Sequence, residues 1–125
     1  MEAKALLLVA LGGALGASLR YGIGLWLTSD SFPWATLTVN LVGSLLLGSL
    51  TCAALVNGVL SEEATLFAGI GLLGAFTTLS TYSVDSIRMY QAEAYSYLAG
   101  YVLATSIGGP ILALIGWKVT ELILD

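Results

Sequence analysis

Between Gly74 and Ser83 the chain reads Gly-Ala-Phe-Thr-Thr-Leu-Ser-Thr-Tyr-Ser, directly after an apolar run over residues 66–73. Six of the seven residues from Thr77 to Ser83 carry a hydroxyl. A hydroxyl in hydrocarbon needs a partner, and Ser and Thr compete with the helix ladder for its carbonyls. Such a run belongs where a helix breaks and its freed backbone lines a pore, binds an ion or meets a partner helix.

Other polar residues in apolar surroundings are spaced for helical faces. Thr36, Asn40, Gly43, Ser44, Gly48 and Thr51 follow spacings of 4, 3, 1, 4 and 3, which place them on one side of a helix. Asn40 has two readings there. It is glue in a small-residue packing seam, or an amide donor facing a polar path, offering two N–H groups to an anion without a buried charge. Gly12, Gly16, Arg20 and Gly24 recur at strict intervals of four. The glycines make a packing face, whereas Arg20 either snorkels to the interface or holds a positive charge at the mouth of a water-filled vestibule. Tyr101 and Thr105 are neighbours one turn apart. They serve packing and their own helix, or they extend a ladder of donors begun by Asn40.

The elements that must hold these residues are membrane spans. The 125 residues are 58% hydrophobic and 10% charged, with a mean hydropathy of +0.93. Soluble domains carry roughly 25% charged residues, so this is an all-α membrane protein. Four apolar runs, at about residues 5–27, 35–55, 65–84 and 95–123, are each long enough to cross a bilayer. The connections over 28–33, 57–63 and 85–93 are short, and the last is the most polar. The whole of residues 1–125 is one four-span domain with a break in the third span. Trp26, Trp34, Tyr90, Tyr95 and Trp117 fall near span ends, as interfacial aromatic belts do. The segment Met1-Glu2-Ala3-Lys4 has no net positive charge, so no cleaved leader is expected.

Composition excludes several chemistries. Four Lys and Arg residues cannot build a phosphate-binding surface, so no nucleic-acid partner is expected. With no His and a single Cys, Cys52, a His-based triad and an intramolecular disulfide are ruled out, and no enzyme activity is expected. All eight acidic residues fall in loops, at termini or at span ends. Proton-coupled transport generally needs an acid within the membrane, so passive passage of a small anion fits better.

Loop charge sets orientation, and here it is balanced. Lys4 and Lys118 fall on one side, Arg20 and Arg88 on the other. A chain with no bias can insert both ways and pair antiparallel about an axis in the membrane plane.

Three stretches together make the chain resemble the Fluc (CrcB-type) fluoride channel family: Gly-Gly-Ala-Leu-Gly-Ala-Ser-Leu-Arg-Tyr from Gly12, Thr-Val-Asn-Leu-Val-Gly-Ser from Thr38, and the hydroxyl-rich stretch from Gly74. The resemblance implies an antiparallel dual-topology homodimer in the inner (plasma) membrane, with two separate fluoride pores. It implies Asn40 as the pore amide, Arg20 at the vestibule, and Tyr101 and Thr105 in a polar track beside Ser80 and Thr81. It also implies a structural Na⁺ at the dimer centre, held by backbone carbonyls of Gly74 and Thr77 from both subunits; hard cations do prefer oxygen. The family places two phenylalanines on the fluoride path, presenting ring edges that carry partial positive charge. Leu79 and Tyr82 stand at those positions, so one ring is kept and one is lost. A related second subunit that supplies the missing ring is one way to complete the pore.

The function expected is therefore passive, fluoride-selective export. A small dual-topology transporter of the multidrug type is the first alternative, but it needs a membrane-embedded Glu that the first span lacks. A non-conducting assembly subunit is the second. The charge balance yields a direct test. Single-Cys reporters at the N-terminus, in a Cys52→Ala background, are expected to label from both faces of sealed vesicles, and labelling from one face alone rules out dual insertion.

Overall fold

The computed structural model describes residues 2–125. Its four long apolar helices are Glu2–Trp26, Trp34–Val56, Glu62–Gln91 and Tyr95–Leu124, each long enough to cross a membrane. They are called the first to fourth spans below. Few apolar side chains are buried: Val39, Leu73 and Phe76 form one cluster, and Leu37, Met89 and Tyr101 another. Large apolar residues such as Leu6, Leu55 and Leu122 are left facing outwards. That is the distribution of a protein whose surroundings are apolar too.

Glycine decides where the helices touch. A Cβ at Gly12 would collide with the Phe67 carbonyl and one at Gly16 with the Leu72 carbonyl, so the first span lies backbone to backbone on the third. The approach is mutual, since a Cβ at Gly71 would stand 2.8 Å from the Val9 carbonyl. The second and fourth spans pair the same way, with Gly48 against Ala113 and Gly116 against the Leu45 carbonyl. Small residues allow this where no hydrophobic drive separates helix from lipid.

The third span is irregular. Ser61 caps its start, accepting from the Ala64 N–H at 3.1 Å. Residues Thr65–Leu73 form a widened π-helix, and a short α-helical turn follows over Gly74–Phe76. Thr77 (φ −90°, ψ 158°) and Thr78 (φ −152°, ψ 115°) are extended, and helix resumes over Leu79–Gln91. Helical geometry thus continues past Gly74 as far as Phe76. The polar stretch 85–93 is not a loop for most of its length, because the helix that begins at Leu79 carries on to Gln91. The physical reason is a fresh start: Thr78 Oγ1 accepts from the Thr81 N–H at 3.1 Å, an N-cap that begins a new ladder.

That ladder ends in a Schellman-type turn. The Ala94 N–H reaches the Met89 carbonyl at 2.9 Å and the Glu93 N–H reaches the Tyr90 carbonyl at 3.1 Å. The turn places Glu93 at φ 58°, the left-handed region that glycine occupies at no cost. Glu93→Gly is therefore expected to raise stability by about 1 kcal/mol. Thermal unfolding in detergent measures it, and a lowered midpoint would show that the Glu93 side chain outweighs the strain.

Candidate functional site

The Thr77 N–H stays with the Leu73 carbonyl, but the Thr78 N–H has no helical partner, and the second span supplies one. Asn40 Nδ2 donates to the Thr78 carbonyl at 3.1 Å, while its Oδ1 accepts from the Thr78 N–H at 2.8 Å. The amide side chain thus does for Thr78 what a neighbouring peptide would do in a sheet. One of the two amide hydrogens is spent on this grip and the other remains for a further acceptor. Gly43, one turn along the same face, has Thr77 Cγ2 where a Cβ would be, and Ser44 donates to the Asn40 carbonyl at 2.7 Å.

A cleft of about 270 Å³ opens at this point, lined by Asn40, Gly43, Ser44, Leu47, Thr77, Thr78, Leu79, Tyr82 and Thr105. Thr105 Oγ1 is buried and has no hydrogen-bond partner, the one side-chain polar atom in that condition among the described residues. It does not bond back to its own helix. A buried hydroxyl left unmatched costs about 1–3 kcal/mol, so this position is one that a ligand can repay. Leu79 is 75% exposed, and Tyr82 lies across the Tyr101 ring with centroids 5.0 Å apart. Ser44, Leu47 and Thr105 also line a larger apolar groove of about 760 Å³ that follows the second and fourth spans to Trp117 and Lys118.

The remaining sequence candidates lie elsewhere. Tyr101 is fully buried behind Tyr82, and its hydroxyl donates to Asp85 Oδ2 at 3.0 Å, so it does not line the cleft. Thr81 and Ser80 hydroxyls gather around Thr78 Oγ1, at 3.1 and 3.3 Å. Arg20 and Thr81 line a second cleft of about 280 Å³ together with Tyr21, Thr36 and Thr78, on the side of the first span. Thr78 is common to both clefts. Gly74 is exposed, and the Thr77 hydroxyl turns back to the Leu73 carbonyl at 3.1 Å and the Gly74 carbonyl at 3.4 Å.

Two residues important here escaped the sequence reading. Thr78 could have been found, since a hydroxyl three residues before Thr81 at the start of a helix is an N-cap pattern. Asp85 could not, because its partner Tyr101 sits on another span; placed in a loop by sequence, it is helical and accepts from a buried tyrosine.

A family model described as CrcB-like protein, Camphor Resistance (CrcB), matches residues 7–117. The chain belongs to the CrcB family. Membership and four apolar helices together make it a multi-pass membrane protein, which in a bacterium means the plasma membrane. Curated relatives in this family are named as channels, not enzymes. The "Fluoride-specific ion channel FluC" of Thermus thermophilus is 42% identical over 121 residues, covering 94% of this chain and 94% of its own. That of Oceanobacillus iheyensis is 42% identical over 111 residues, covering 88% and 86%. The "Fluoride-specific ion channel FluC 2" of Bacillus subtilis is 45% identical over 108 residues, covering 86% and 81%. The CrcB match spans Arg20, Asn40, the stretch from Gly74, Tyr101 and Thr105 alike.

The two-point grip on Thr78 makes Asn40 a stability determinant as well as a cleft residue. Asn40→Ala is expected to lower stability by about 1–3 kcal/mol, because it strands a buried N–H and a carbonyl. The thermal midpoint in detergent reads this out. An unchanged midpoint would mean that the extended pair is held by something else.

Proposed function

We propose that this CrcB-family protein is a passive fluoride channel that lets the ion leave the cell down its gradient. The observation that carries the reading is the cleft lined by both Asn40, which has an amide hydrogen to spare, and Thr105, whose buried hydroxyl is unpartnered, in a chain whose relatives are named fluoride-specific channels. Donors without full charge suit an anion that must both enter and leave. Asn40 and Thr105 donate to fluoride, Tyr82 presents its ring, and Ser80 and Thr81 stand at the start of the trailing helix beside the path. Arg20 raises the local anion concentration from the second cleft, and Tyr101 holds the Tyr82 ring from behind.

The working unit in this proposal is an antiparallel homodimer with two pores. The strong exposure of Leu79 and the open apolar groove beside Thr105 support a second copy seated against this face. The extended pair is the break at which the two copies cross. Na⁺ at the dimer centre would be held by the carbonyls of Gly74 and Thr77, and the residues fit it. Gly74 is exposed, the N–H four residues beyond it is taken by Asn40, and the extended Thr77 leaves its own carbonyl outside any ladder. Such an ion supplies charge balance for carbonyl oxygens that converge.

Efflux from liposomes loaded with KF, started by a K⁺ ionophore, tests the reading. Fluoride is expected to leave quickly and chloride far more slowly; equal rates would overturn the assignment. Leu79→Phe, which restores a ring edge, is expected to raise fluoride flux by about threefold, the scale of one aromatic contact. Robust flux that ignores this substitution would remove the ring edge from the mechanism. A chain that is silent alone and conducts as Leu79→Phe would instead favour a second subunit as the source of the ring.

A further inference from the structure

The helical part of the third span that ends at Phe76 leaves its last carbonyls without ladder partners, and they are satisfied selectively. The Leu73 carbonyl keeps the Thr77 N–H at 3.2 Å. The Gly74 carbonyl loses its natural partner, because the Thr78 N–H turns to Asn40 Oδ1 at 2.8 Å, and keeps only the Thr77 hydroxyl at 3.4 Å. The Ala75 carbonyl would bond the Leu79 N–H in an unbroken helix, and the extended pair takes that N–H away. Arg20 replaces it, donating Nε–H to the Ala75 carbonyl at 3.0 Å. Among the described residues no backbone N–H or side chain donates to the Thr77 carbonyl.

Arg20 arrives there because of the glycines before it. Gly12 rests on Phe67 and Gly16 on Leu72, and the next residue of that stripe meets Ala75, one step further along the same helix. The contact also sets a cation at a helix C-terminus, where the helix dipole favours it. Neither snorkelling nor attraction of anions calls for the ε nitrogen to be committed to a carbonyl.

We propose that Arg20 is a positioning residue: by tying the Ala75 carbonyl while Asn40 ties Thr78, it decides which freed carbonyls are occupied and which stay open. The atom that matters is an N–H donor at the ε position, and the charge is secondary. The consequence for fluoride passage rests on the channel reading; the consequence for the extended pair does not.

Three substitutions separate donor from charge. Gln carries an amide nitrogen the same number of bonds from Cα as the Arg ε nitrogen, Lys keeps the charge with a methylene there, and Met supplies neither. Hydrogen exchange of residues 74–81 in lipid nanodiscs is read beside fluoride efflux. R20Q is expected to keep wild-type protection, its flux falling only by the share that the lost charge carries, while R20K and R20M raise exchange by about tenfold, the scale of one lost hydrogen bond to a charged group. Protection kept in R20K and lost in R20Q would overturn the proposal, as would equal protection in all three. Should R20M fail to fold, the contrast between Gln and Lys decides alone. Should the wild type move no fluoride, the exchange contrast still tests Arg20, so failure of the channel reading and failure of this one are told apart.

Discussion

A peptide group inside a membrane has no water to fall back on, and the structure turns on how two of them are satisfied. Thr77 and Thr78 leave helical geometry in the middle of a long apolar span. The Thr78 N–H and carbonyl, with the Ala75 carbonyl of the helix end before them, find partners on other spans. Asn40 from the second span and Arg20 from the first supply them. The extended pair is therefore a tertiary object, held in place by two side chains distant in sequence.

Those side chains reach the pair only because the helices are close. Gly12, Gly16 and Gly71 bring the first span onto the third, and Gly43 clears room for Thr77 beside the second. Glycine in a helix interior costs about 1 kcal/mol against alanine, a cost offset here by close backbone approach and by the hydrogen bonds that it permits. The packing seams and the polar site are one arrangement seen from two sides. Thr105, on the fourth span, is the exception: it lines the cleft, and among the described residues nothing bonds its buried hydroxyl.

The cleft beside Asn40 is lined by uncharged residues alone, and it shares Thr78, not a charged residue, with the cleft that Arg20 lines. Asp85 sits close by in sequence, yet its carboxylate accepts from the buried Tyr101 hydroxyl, behind the Tyr82 ring. That contact keeps an acid on the trailing helix while engaging it away from the cleft that Asn40 and Thr105 line.

Composition and hydrophobic run length determined the class and the four spans, because the bilayer sets how many apolar residues a helix needs. The ends of the first, second and fourth helices fall within a few residues of the runs that announced them. The hydroxyl cluster also marked the irregular stretch, since so many competing side chains do not sit quietly in one ladder. The length of the third helix is hidden for the same reason: polarity at Asp85 and Arg88 reads as a loop, whereas the Thr78 cap starts a helix that runs through both. What only the tertiary structure decided was partnership. Asn40 and Arg20 each had two readings from sequence, and the choice of Thr78 and Ala75 as their partners depends on helices separated by 38 and 55 residues meeting at glycine contacts. Periodicity along a chain says which face a residue occupies, but the group opposite that face is set by packing between chain segments, which no local pattern records.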